Sequence, residues 1–354
     1  MSSEDRKEKI KAVAMLSGGL DSSLAVKIVA DQGIEVIGIN YNTGFCLTDH
    51  RRKMSGLGAP IDPQSVRNEA LAAGARWGLP VEIVDISKEY LQILTSPRYG
   101  YGSAVNPCID CRIFMQKKTR EYMEKIGAGF IITGEVVGQR PMSQMRKTLR
   151  LIEKESGCRG LILRPLSAKL LEPTIAEING WVDREKLYDF SGRSRKPQMR
   201  LAKEIGLEEY PQPAGGCCFL TDKNYARRLQ DLFRHEEKRC VTTDQVMLLK
   251  VGRHFRVNEK TKVIVGRNEA ENLFLEKTFG SLARLYCADV PGPLSLIEGT
   301  VQEEAISTAA GITARYSDAG MDETLKVNVE FPDAGTRTLK VKPMEIEKCE
   351  RMRI

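Results

Sequence analysis

Short apolar runs alternate with helical patterns over the first 140 residues of the chain. Four of these runs lack the period-two alternation of a half-exposed strand, which is typical of strands covered on both faces. They are KAVAML (11–16), EVIGIN (35–40), PVEIVDI (80–86) and GFIITGE (129–135). The helical patterns between them are SSLAVKIVADQG (22–33), PQSVRNEALAAGARWG (63–78) and CRIFMQKKTREYMEKIG (111–127). This order predicts an α/β domain with a doubly wound parallel sheet, in which the loops after successive strands share one edge.

The pattern changes after PQP (211–213), which we interpret as a stiff boundary. A helix over 224–237 is followed by mixed segments, and then by the alternating patches GITARYS (311–317), TLKVNVEF (324–331) and TRTLKVKPM (336–344). Alternation of this kind predicts a small antiparallel β module. We therefore divide the chain into an α/β domain at 1–212, a mixed α+β segment at 213–280 and a β-rich module at 281–354. The polar stretch over 47–64 is predicted to be a mobile loop.

Composition narrows the class of protein without fixing its function. The chain has 354 residues, of which 42% are hydrophobic and 29% are charged, as in ordinary soluble proteins of two or three domains. No apolar run approaches the roughly 20 residues of a membrane span, and the charged start MSSEDRKEKIK resembles neither a secretory signal nor a transit peptide. We expect a cytoplasmic protein with no membrane partner. The net charge of +7 is compatible with a polyanionic partner but does not require one.

The nine cysteines fall into two groups. Without an export signal, a disulfide framework is not expected, so clustered cysteines are candidates for metal binding or catalysis. The clustered ones are Cys108, Cys111, Cys217 and Cys218. Five others stand apart, and we expect them to be small core residues: Cys46, Cys158, Cys240, Cys287 and Cys349.

The stretch SGGLDS (17–22) lies at the turn between the first strand and the first helix. Glycines let the backbone approach a ligand closely, and a helix N-terminus offers N–H groups and partial positive charge. With the hydroxyls of Ser17 and Ser22, this turn predicts an anion site that suits phosphate. The pattern is neither a Walker A motif nor GxGxxG. The alternative is a glycine-rich turn in which Asp21 or Ser22 only caps the helix.

The longer string SGGLDSS (17–23) resembles the PP-loop of the ATP-pyrophosphatase superfamily. The resemblance implies that the loop holds the pyrophosphate end of ATP and that the enzyme adenylates an oxygen of its substrate. The residues implied are Ser17, Gly18, Gly19, Leu20 and Ser22. Asp21 is anionic, so we expect it to act through Mg²⁺ or by ordering the turn.

Two further motifs indicate which PP-loop enzymes the chain resembles. The segment TGEVVGQRPMSQ (133–144) is similar to the TGE…GQ…SQ segment of the ThiI family, which forms 4-thiouridine in tRNA. The segment NPCIDCR (106–112) is similar to the one that carries a reactive cysteine in the MnmA family of tRNA 2-thiouridylases. The resemblance implies an ATP-dependent tRNA sulfurtransferase, with 4-thiouridine favoured over 2-thiouridine as the product. Gly134 and Gln139 would line the adenylate or the uridine, and a sulfur donor, either sulfide or a cysteine desulfurase, would be a partner besides tRNA.

The clustered cysteines leave three interpretations open. In cluster-dependent tRNA thiolases, a C-x-x-C and one distant cysteine hold a 4Fe–4S cluster with one open iron. The resemblance implies this arrangement for Cys108, Cys111 and either Cys217 or Cys218, and we favour it. The same residues suit a persulfide mechanism with a resolving cysteine, whereas structural zinc would require a fourth ligand.

Two basic segments are candidates for contact with RNA. The segments VGRHFR (251–256) and KVIVGRNEAEN (262–272) resemble the NFACT-R RNA-binding domain. The resemblance implies phosphate contacts, with Phe255 available for stacking, by Lys250, Arg253, His254, Arg256 and Arg267. The basic helix over 191–206 adds Arg193, Arg195, Lys196 and Arg200. The alternatives are a hairpin with a solvated basic face and a solvated helix face.

Two functions outside the sulfurtransferase class compete with this interpretation. An amidating PP-loop ligase would leave the clustered cysteines unexplained. An RNA-binding protein with a vestigial PP-loop would retain the basic segments but would not turn over ATP. The sequence assigns no oligomeric state.

Overall fold

The chain forms two compact units that are interleaved in sequence. The computed structural model describes residues 9–55, 57, 68–210, 218–237 and 240–354. The described parts of Met1–Gly44 and Arg67–Cys217 form the first unit, and those of Phe45–Val66 and Cys218–Ile354 form the second. In the described part of the chain, no helix has the length and apolarity needed to cross a bilayer.

The strands and helices are numbered in chain order. The strands are β1 (Lys11–Met15), β2 (Glu35–Asn42), β3 (Val81–Asp85), β4 (Phe130–Thr133), β5 (Ile162–Leu163), β6 (Arg253–Asn258), β7 (Thr261–Val265), β8 (Ala283–Cys287), β9 (Ser295–Gly299), β10 (Leu325–Phe331) and β11 (Gly335–Val341). The helices are α1 (Leu20–Ala30), α2 (Leu47–Ser55), α3 (Glu69–Arg76), α4 (Ser87–Thr95), α5 (Cys108–Lys125), α6 (Arg146–Ser156), α7 (Ile175–Ile178), α8 (Lys196–Glu204), α9 (Lys223–His235), α10 (Thr243–Leu248), α11 (Glu269–Thr278), α12 (Glu303–Arg315) and α13 (Ile346–Met352).

The first unit is built on a parallel sheet with the strand order β3-β2-β1-β4-β5. Strand β1 pairs with β2 on one side and with β4 on the other, both in parallel. The strand order therefore reverses at β1. In open α/β sheets, ligands bind beyond the carboxyl ends of the strands at such a reversal. The prediction of a doubly wound parallel sheet is confirmed, and the fold directs attention to the residues that follow β1 and β4.

Both faces of this sheet are buried, which explains why its strands show no alternation. Ala12 and Ala14 of β1 pack in one apolar cluster with Val36 and Phe130. Val13, between them, packs in another cluster on the opposite face. Side chains alternate across a strand, so a strand covered on both sides must be apolar at every position.

The second unit contains a six-stranded antiparallel sheet with the order β11-β10-β8-β9-β7-β6. Strands β6 and β7 come from the segment 213–280, and the other four come from 281–354. The chain therefore folds as one sheet across the boundary that the sequence placed at residue 280. Helix α12 packs on this sheet through Ala309, Ala310 and Ile312, which share a core with Phe255 and Val327.

Two sequence-based predictions are wrong in this unit. Residues 311–315, predicted as part of a strand, form the end of α12 instead. Alanines and Ile306 give that helix an apolar face, and burial outweighs the strand preference of its isoleucine and threonine residues. The segment 47–64 is not a loop throughout, since α2 spans Leu47–Ser55. Met54 and Leu57 pack against an apolar cluster of the same unit.

Replacing Ile131 by alanine is expected to destabilise the first unit strongly. Ile131 is fully buried, so the change leaves a cavity that costs about 2–5 kcal/mol of unfolding free energy. Ile178 is 72% exposed, and the same substitution there is expected to change stability by less than about 0.5 kcal/mol. Urea unfolding followed by tryptophan fluorescence measures this unit selectively, because both tryptophans, Trp77 and Trp181, belong to it. Equal losses in the two variants would contradict the assigned core.

Candidate functional site

The turn between β1 and α1 adopts a conformation that requires glycine. Gly18 has a φ of +77°, and a Cβ atom there would collide with the backbone of Glu69 at the start of α3. Gly19 is the N-cap of α1 and makes no side-chain capping bond. The alternative in which Asp21 or Ser22 merely caps this helix is therefore not supported. A helix N-terminus without a side-chain cap offers backbone amides to an anionic ligand.

The hydroxyls of Ser17 and Ser22 form hydrogen bonds across the turn and stabilise it. Ser17 Oγ lies 3.1 Å from Ser22 Oγ, and the Gly19 amide donates to Ser17 Oγ at 3.3 Å. Ser22 Oγ also donates to the Gly19 carbonyl at 3.0 Å. Ser17 is exposed, whereas Ser22 is buried. The serines therefore fix the shape of the loop, and the Ser17 side chain remains accessible to a ligand.

Asp21 contacts Gln139 and Arg195, two residues to which the sequence assigned separate roles. Gln139 Nε2 donates to Asp21 Oδ2 at 2.9 Å, and Arg195 Nη2 lies 3.3 Å from the same oxygen. Asp21 Oδ1, Gln139 Oε1 and Arg195 Nε are buried and find no hydrogen-bond partner among the residues that the structure describes. An unsatisfied buried polar atom costs about 1–3 kcal/mol. Three such atoms in one cluster indicate a place prepared for a polar ligand.

Gly134 brings the end of β4 against the first turn of α1. A Cβ atom at Gly134 would lie 2.5 Å from the Asp21 carbonyl carbon and 2.5 Å from the Ser22 amide nitrogen. Only glycine permits this approach. The close packing places the segment after β4, which carries Gln139, beside the turn after β1.

A buried carboxylate ties three segments together at the same sheet edge. Glu135 is 3% exposed, and its Oε2 accepts from Arg164 Nε at 3.1 Å, just after β5. Its Oε1 lies 3.7 Å from Arg112 Nε in the first turns of α5. Burial alone raises the pKa of Glu135, but Arg164 and Arg112 outweigh it and hold that pKa below its usual value. Glu135 is therefore charged. No role for Glu135, Arg112 or Arg164 follows from the sequence alone, although TGE directly after a strand is a signal for Glu135.

The C-x-x-C lies in the first turn of α5. Cys108 and Cys111 are half-buried, and the Cys111 amide donates to the Pro107 carbonyl at 2.8 Å. Between them, Asp110 accepts from the backbone amides of Arg98 and Tyr99 at 3.0 Å each, which fixes the loop before the helix. Together with the contact from Arg112 to Glu135, these bonds hold the cysteine segment at the end of β4.

The third ligand expected for a metal site is Cys217 or Cys218. Cys217 lies outside the described residues, and Cys218 belongs to the second unit. Over the described ranges, no group of three or more His, Cys, Asp or Glu side chains is arranged to hold a metal ion. The described residues thus do not fit a cluster or a structural zinc site.

In the second unit, Cys218 lies opposite Cys46, which the sequence analysis treated as an isolated core residue. The two form an antiparallel bridge, and the Phe219 amide donates to the Phe45 carbonyl at 3.0 Å. The Lys250 ammonium is 5.4 Å and 5.5 Å from the ring centroids of Phe45 and Phe219. Burial lowers the pKa of Lys250 to about 8. No motif in the sequence links Cys46 to Cys218. Of the other isolated cysteines, Cys158 and Cys349 are buried as expected, Cys287 is partly buried, and Cys240 is exposed.

The basic residues of the second unit that were predicted to contact RNA are mostly buried or paired, unlike those of a solvated face. His254 and Phe255 are fully buried, and a ring nitrogen of His254, Nε2, is 2.8 Å from the Val251 carbonyl. Lys250 is also buried, so neither side chain offers a positive charge on the surface. Arg256 pairs with Asp231, and Arg267 pairs with Glu271. Strand β6 is covered on both faces, which is why its histidine and phenylalanine are unavailable to RNA.

The basic helix of the first unit keeps more of its charge accessible. Arg193, Lys196 and Arg200 are exposed around the start of α8. Arg195 is the exception, because it turns toward Asp21. These residues therefore divide between a basic surface and the site after β1.

Two family models match the chain. The model described as the tRNA methyl transferase HUP domain matches residues 10–179. The model described as the NFACT protein RNA binding domain matches residues 252–353. The first match contains the turn after β1, the C-x-x-C and the segment after β4, and the second contains the whole six-stranded sheet.

Curated relatives resemble the chain at low identity. The tRNA-specific 2-thiouridylase MnmA of Xanthobacter autotrophicus is 27% identical over 228 residues, which are 63% of this chain and 54% of that protein. The enzyme of the same name from Bacillus thuringiensis is 25% identical over 345 residues, which are 92% of this chain and 85% of that protein. The chain thus spans little more than half the length of the first of these relatives.

Among solved structures, a 4-thiouridine synthetase–RNA complex with bound ATP aligns with 68% of this chain and 51% of its own. The TM-score is 0.37 and the identity is 21%. A likeness of this size carries no argument about function. The resemblance to PP-loop enzymes is supported instead by the family-model matches, the SGGLDSS turn and the reversal of strand order at β1. The chain resembles the tRNA thiolases of the PP-loop superfamily and carries a segment similar to the NFACT RNA-binding domain.

Proposed function

We propose that this protein is an ATP-dependent tRNA sulfurtransferase that replaces the 2-oxygen of a uridine by sulfur. The observation that carries the proposal is the cluster of Asp21, Gln139 and Arg195 beside the PP-loop, with three buried polar atoms that find no partner in the described part of the chain. The choice of 2-thiouridine rests on the relatives, whose names are tRNA-specific 2-thiouridylase. It replaces the preference for 4-thiouridine that the TGE…GQ…SQ segment suggested.

The PP-loop supplies what the phosphates of ATP require. Gly18 and Gly19 allow close approach of the backbone, and α1 offers an N-terminus without a side-chain cap. Arg195 adds a guanidinium that is already held by Asp21. Preorganised donors of this kind stabilise negative charge as it develops on a leaving group. Asp21 Oδ1, a buried carboxylate oxygen, is suited to Mg²⁺, which takes oxygen ligands.

The proposed reaction has two displacement steps. The 2-oxygen of the uridine attacks the α-phosphorus of ATP, and pyrophosphate leaves with the electron pair of the broken P–O bond. A sulfur nucleophile then attacks C2, and AMP leaves with the former uridine oxygen. A uridine drawn out of the tRNA stack would expose C2 to these reagents.

Cysteine sulfur is the proposed source of the nucleophile. Cys108 and Cys111 lie at the edge where β4 ends, because Arg112 and Glu135 anchor the start of α5 there. Since the described residues do not assemble three ligands, no step is assigned to a 4Fe–4S cluster. The proposal instead uses a cysteine persulfide, whose outer sulfur is sulfane sulfur from a cysteine desulfurase. That sulfur attacks C2, and the second cysteine of the pair then attacks the inner sulfur, so that the S–S bond breaks, the thiolated base is released and a disulfide forms. Where sulfide is the donor, it attacks C2 directly and no persulfide is formed.

The first test is the identity of the product. Protein incubated with unmodified tRNA, ATP, Mg²⁺ and a persulfide donor is expected to form 2-thiouridine, detected by mass spectrometry of the digested nucleosides. Omission of ATP is expected to abolish it. Formation of 4-thiouridine would refute the assignment of the 2-position. Turnover of ATP without any thiolated base would refute the sulfurtransferase, and a requirement for iron and Cys108 would refute the cluster-free route.

The second prediction concerns Arg195. Arg195→Gln removes a guanidinium beside the proposed phosphate site, and hydrogen bonds to charged groups are worth about 1.5–3 kcal/mol. We expect kcat/KM for ATP to fall about 10- to 100-fold in a pyrophosphate-release assay. Lys203→Gln is the matched control, because Lys203 is an exposed cation of the same helix, and this change is expected to alter the value less than twofold. Equal losses would contradict a specific role for Arg195.

The third prediction concerns RNA binding by the exposed residues around the start of α8. Replacing Arg193, Lys196 and Arg200 by alanine is expected to weaken tRNA binding and to make it less dependent on salt. Each phosphate contact that is lost lowers the slope of log affinity against log salt concentration by roughly 0.7–0.9. Filter binding between about 50 and 200 mM salt measures this slope. An unchanged slope would place the RNA contacts elsewhere.

A further inference from the structure

A cavity of about 870 Å³ lies beside β5, the last strand of the parallel sheet in the first unit. It is formed by α6, by β5 and by the segment that leads from β5 into α7. Pockets that hold small ligands have volumes of about 300–1,000 Å³. Asp21, Gln139 and Arg195 do not line this cavity. It is therefore separate from the site beside the PP-loop.

Positive charge exceeds negative charge on the walls of the cavity. Among the described residues that line it, six are basic and three are acidic: Arg146, Arg150, Lys154, Arg159, Arg164 and Lys169 against Glu153, Glu172 and Glu177. Each carboxylate already pairs with a cation, as Glu172 does with Arg150 at 2.7 Å. Three exposed cations form no ion pair with any described residue, namely Arg146, Lys154 and Arg159. The walls therefore suit an anionic ligand.

The buried guanidinium of Arg164 adds a donor that the protein does not satisfy. Arg164 is 2% exposed, its Nε donates to Glu135, and its Nη1 pairs with Glu153. Its Nη2 is buried and finds no hydrogen-bond acceptor in the described part of the chain. Arginine keeps its charge and cannot accept a hydrogen bond, so this nitrogen remains a donor. A buried cationic donor without an acceptor indicates a place where a ligand anion is stabilised.

Three of the cations form a row on one side of α6. Arg146, Arg150 and Lys154 follow one another at intervals of four residues, which places them on the same helix face, over about 12 Å of its axis. Helix α6 connects β4 to β5, which are parallel, so it returns from the carboxyl ends of the strands towards their amino ends. Arg146 is thus the member of the row nearest to the edge that carries the PP-loop. The row leads away from that edge.

The floor of the cavity is apolar. Leu149, Ile162, Leu163 and Ala168 line it and are all buried. A nucleotide presents a flat base with apolar faces and a charged phosphate, so a cavity with an apolar floor and a cationic rim suits both parts. Arginine side chains match the geometry of phosphate oxygens. An acidic peptide would pair with the cations but would leave the apolar floor uncovered.

We infer that this cavity binds a nucleotide of single-stranded RNA close to the modified uridine, with its base on the apolar floor and its phosphates on the row of cations. RNA is the occupant that the excess positive charge favours, in a chain that also matches the model of an RNA-binding domain. The inference deepens the proposed function and rests on it for the identity of the neighbouring uridine. The geometry of the cavity is independent of that function.

The first experiment locates the RNA on the full chain, without ATP or a sulfur donor. The protein is irradiated with a short oligouridylate that contains 4-thiouridine, digested with trypsin and analysed by mass spectrometry. We expect crosslinks in the two tryptic peptides that line the cavity, residues 160–169 and 170–184. Joint replacement of Arg146 and Lys154 by glutamine is expected to lower these crosslinks at least about fivefold.

The matched control is the joint replacement of Lys117 and Lys125 by glutamine. These exposed lysines of α5 are as far apart in sequence as Arg146 and Lys154, and they do not line the cavity. The control is expected to change the crosslinks less than about twofold. All four side chains are exposed, so neither double variant is expected to change the melting temperature.

The second experiment measures affinity for the same oligouridylate by fluorescence anisotropy at several salt concentrations. Each lost contact with a single-stranded phosphate lowers the slope of log affinity against log salt by roughly 0.7, so the Arg146 and Lys154 double variant is expected to lower it by about 1.4. The control pair is expected to leave the slope unchanged. An abasic oligomer of the same length is expected to bind the unaltered protein at least about threefold more weakly, because nothing then covers the apolar floor.

Four results would overturn the inference: crosslinks confined to residues 218–354, equal losses in the two double variants, equal affinity for the abasic oligomer, or stronger protection of the two peptides by an acidic peptide than by RNA. The last result would assign the cavity to a protein partner. None of these measurements depends on adenylation. A chain that binds RNA in this cavity but forms no thiolated base would overturn the proposed function alone, and a chain that thiolates tRNA without these crosslinks would overturn only the inference.

Discussion

The functional edge of the first unit's sheet depends on the ion pairs that the buried carboxylate of Glu135 forms. This buried carboxylate meets Arg164 after β5 and Arg112 in α5, while Glu135 itself follows β4. Removing one partner of a buried ion pair costs about 3–5 kcal/mol, because the other charge is left uncompensated. The ends of two strands and the helix that carries the C-x-x-C are thereby held in one arrangement. The PP-loop joins this arrangement through Gly134, which packs directly on the first turn of α1.

The site beside this edge is organised before a ligand arrives. Asp21, Gln139 and Arg195 hold one another, yet each keeps a buried polar atom without a partner among the described residues. Such atoms destabilise the unliganded protein, and a ligand that satisfies them recovers that free energy. Fixed dipoles also need no reorganisation while charge moves during a reaction. The cost of these unsatisfied atoms and the proposed role of the site in phosphate chemistry therefore have the same origin.

Local features were predictable from the sequence, and long-range ones were not. The PP-loop turn and the parallel sheet follow from neighbouring residues, since glycines, a helix start and uninterrupted apolar runs occur together. The partners of Glu135 lie in distant segments, and only the fold brings them together. His254 and Phe255 were predicted to contact RNA because basic residues are dense around them in the sequence, whereas both side chains are fully buried. The sequence around Cys46 gave no signal, because Cys218, which it faces in an antiparallel bridge, is distant from it in the sequence.

The interleaving of the two units has a consequence for biosynthesis. Helix α2 and Cys46 emerge from the ribosome early, but the rest of their unit begins only at Cys218. At about 5–20 residues per second, the segment waits roughly 10–50 s for the partners that bury it, which lie between Leu248 and Leu296. During this interval, Met54 and Leu57 lack the apolar cluster that they finally join. In every round of translation this segment is therefore exposed before its packing partners are made. The second unit can fold completely only after the whole chain has been synthesised.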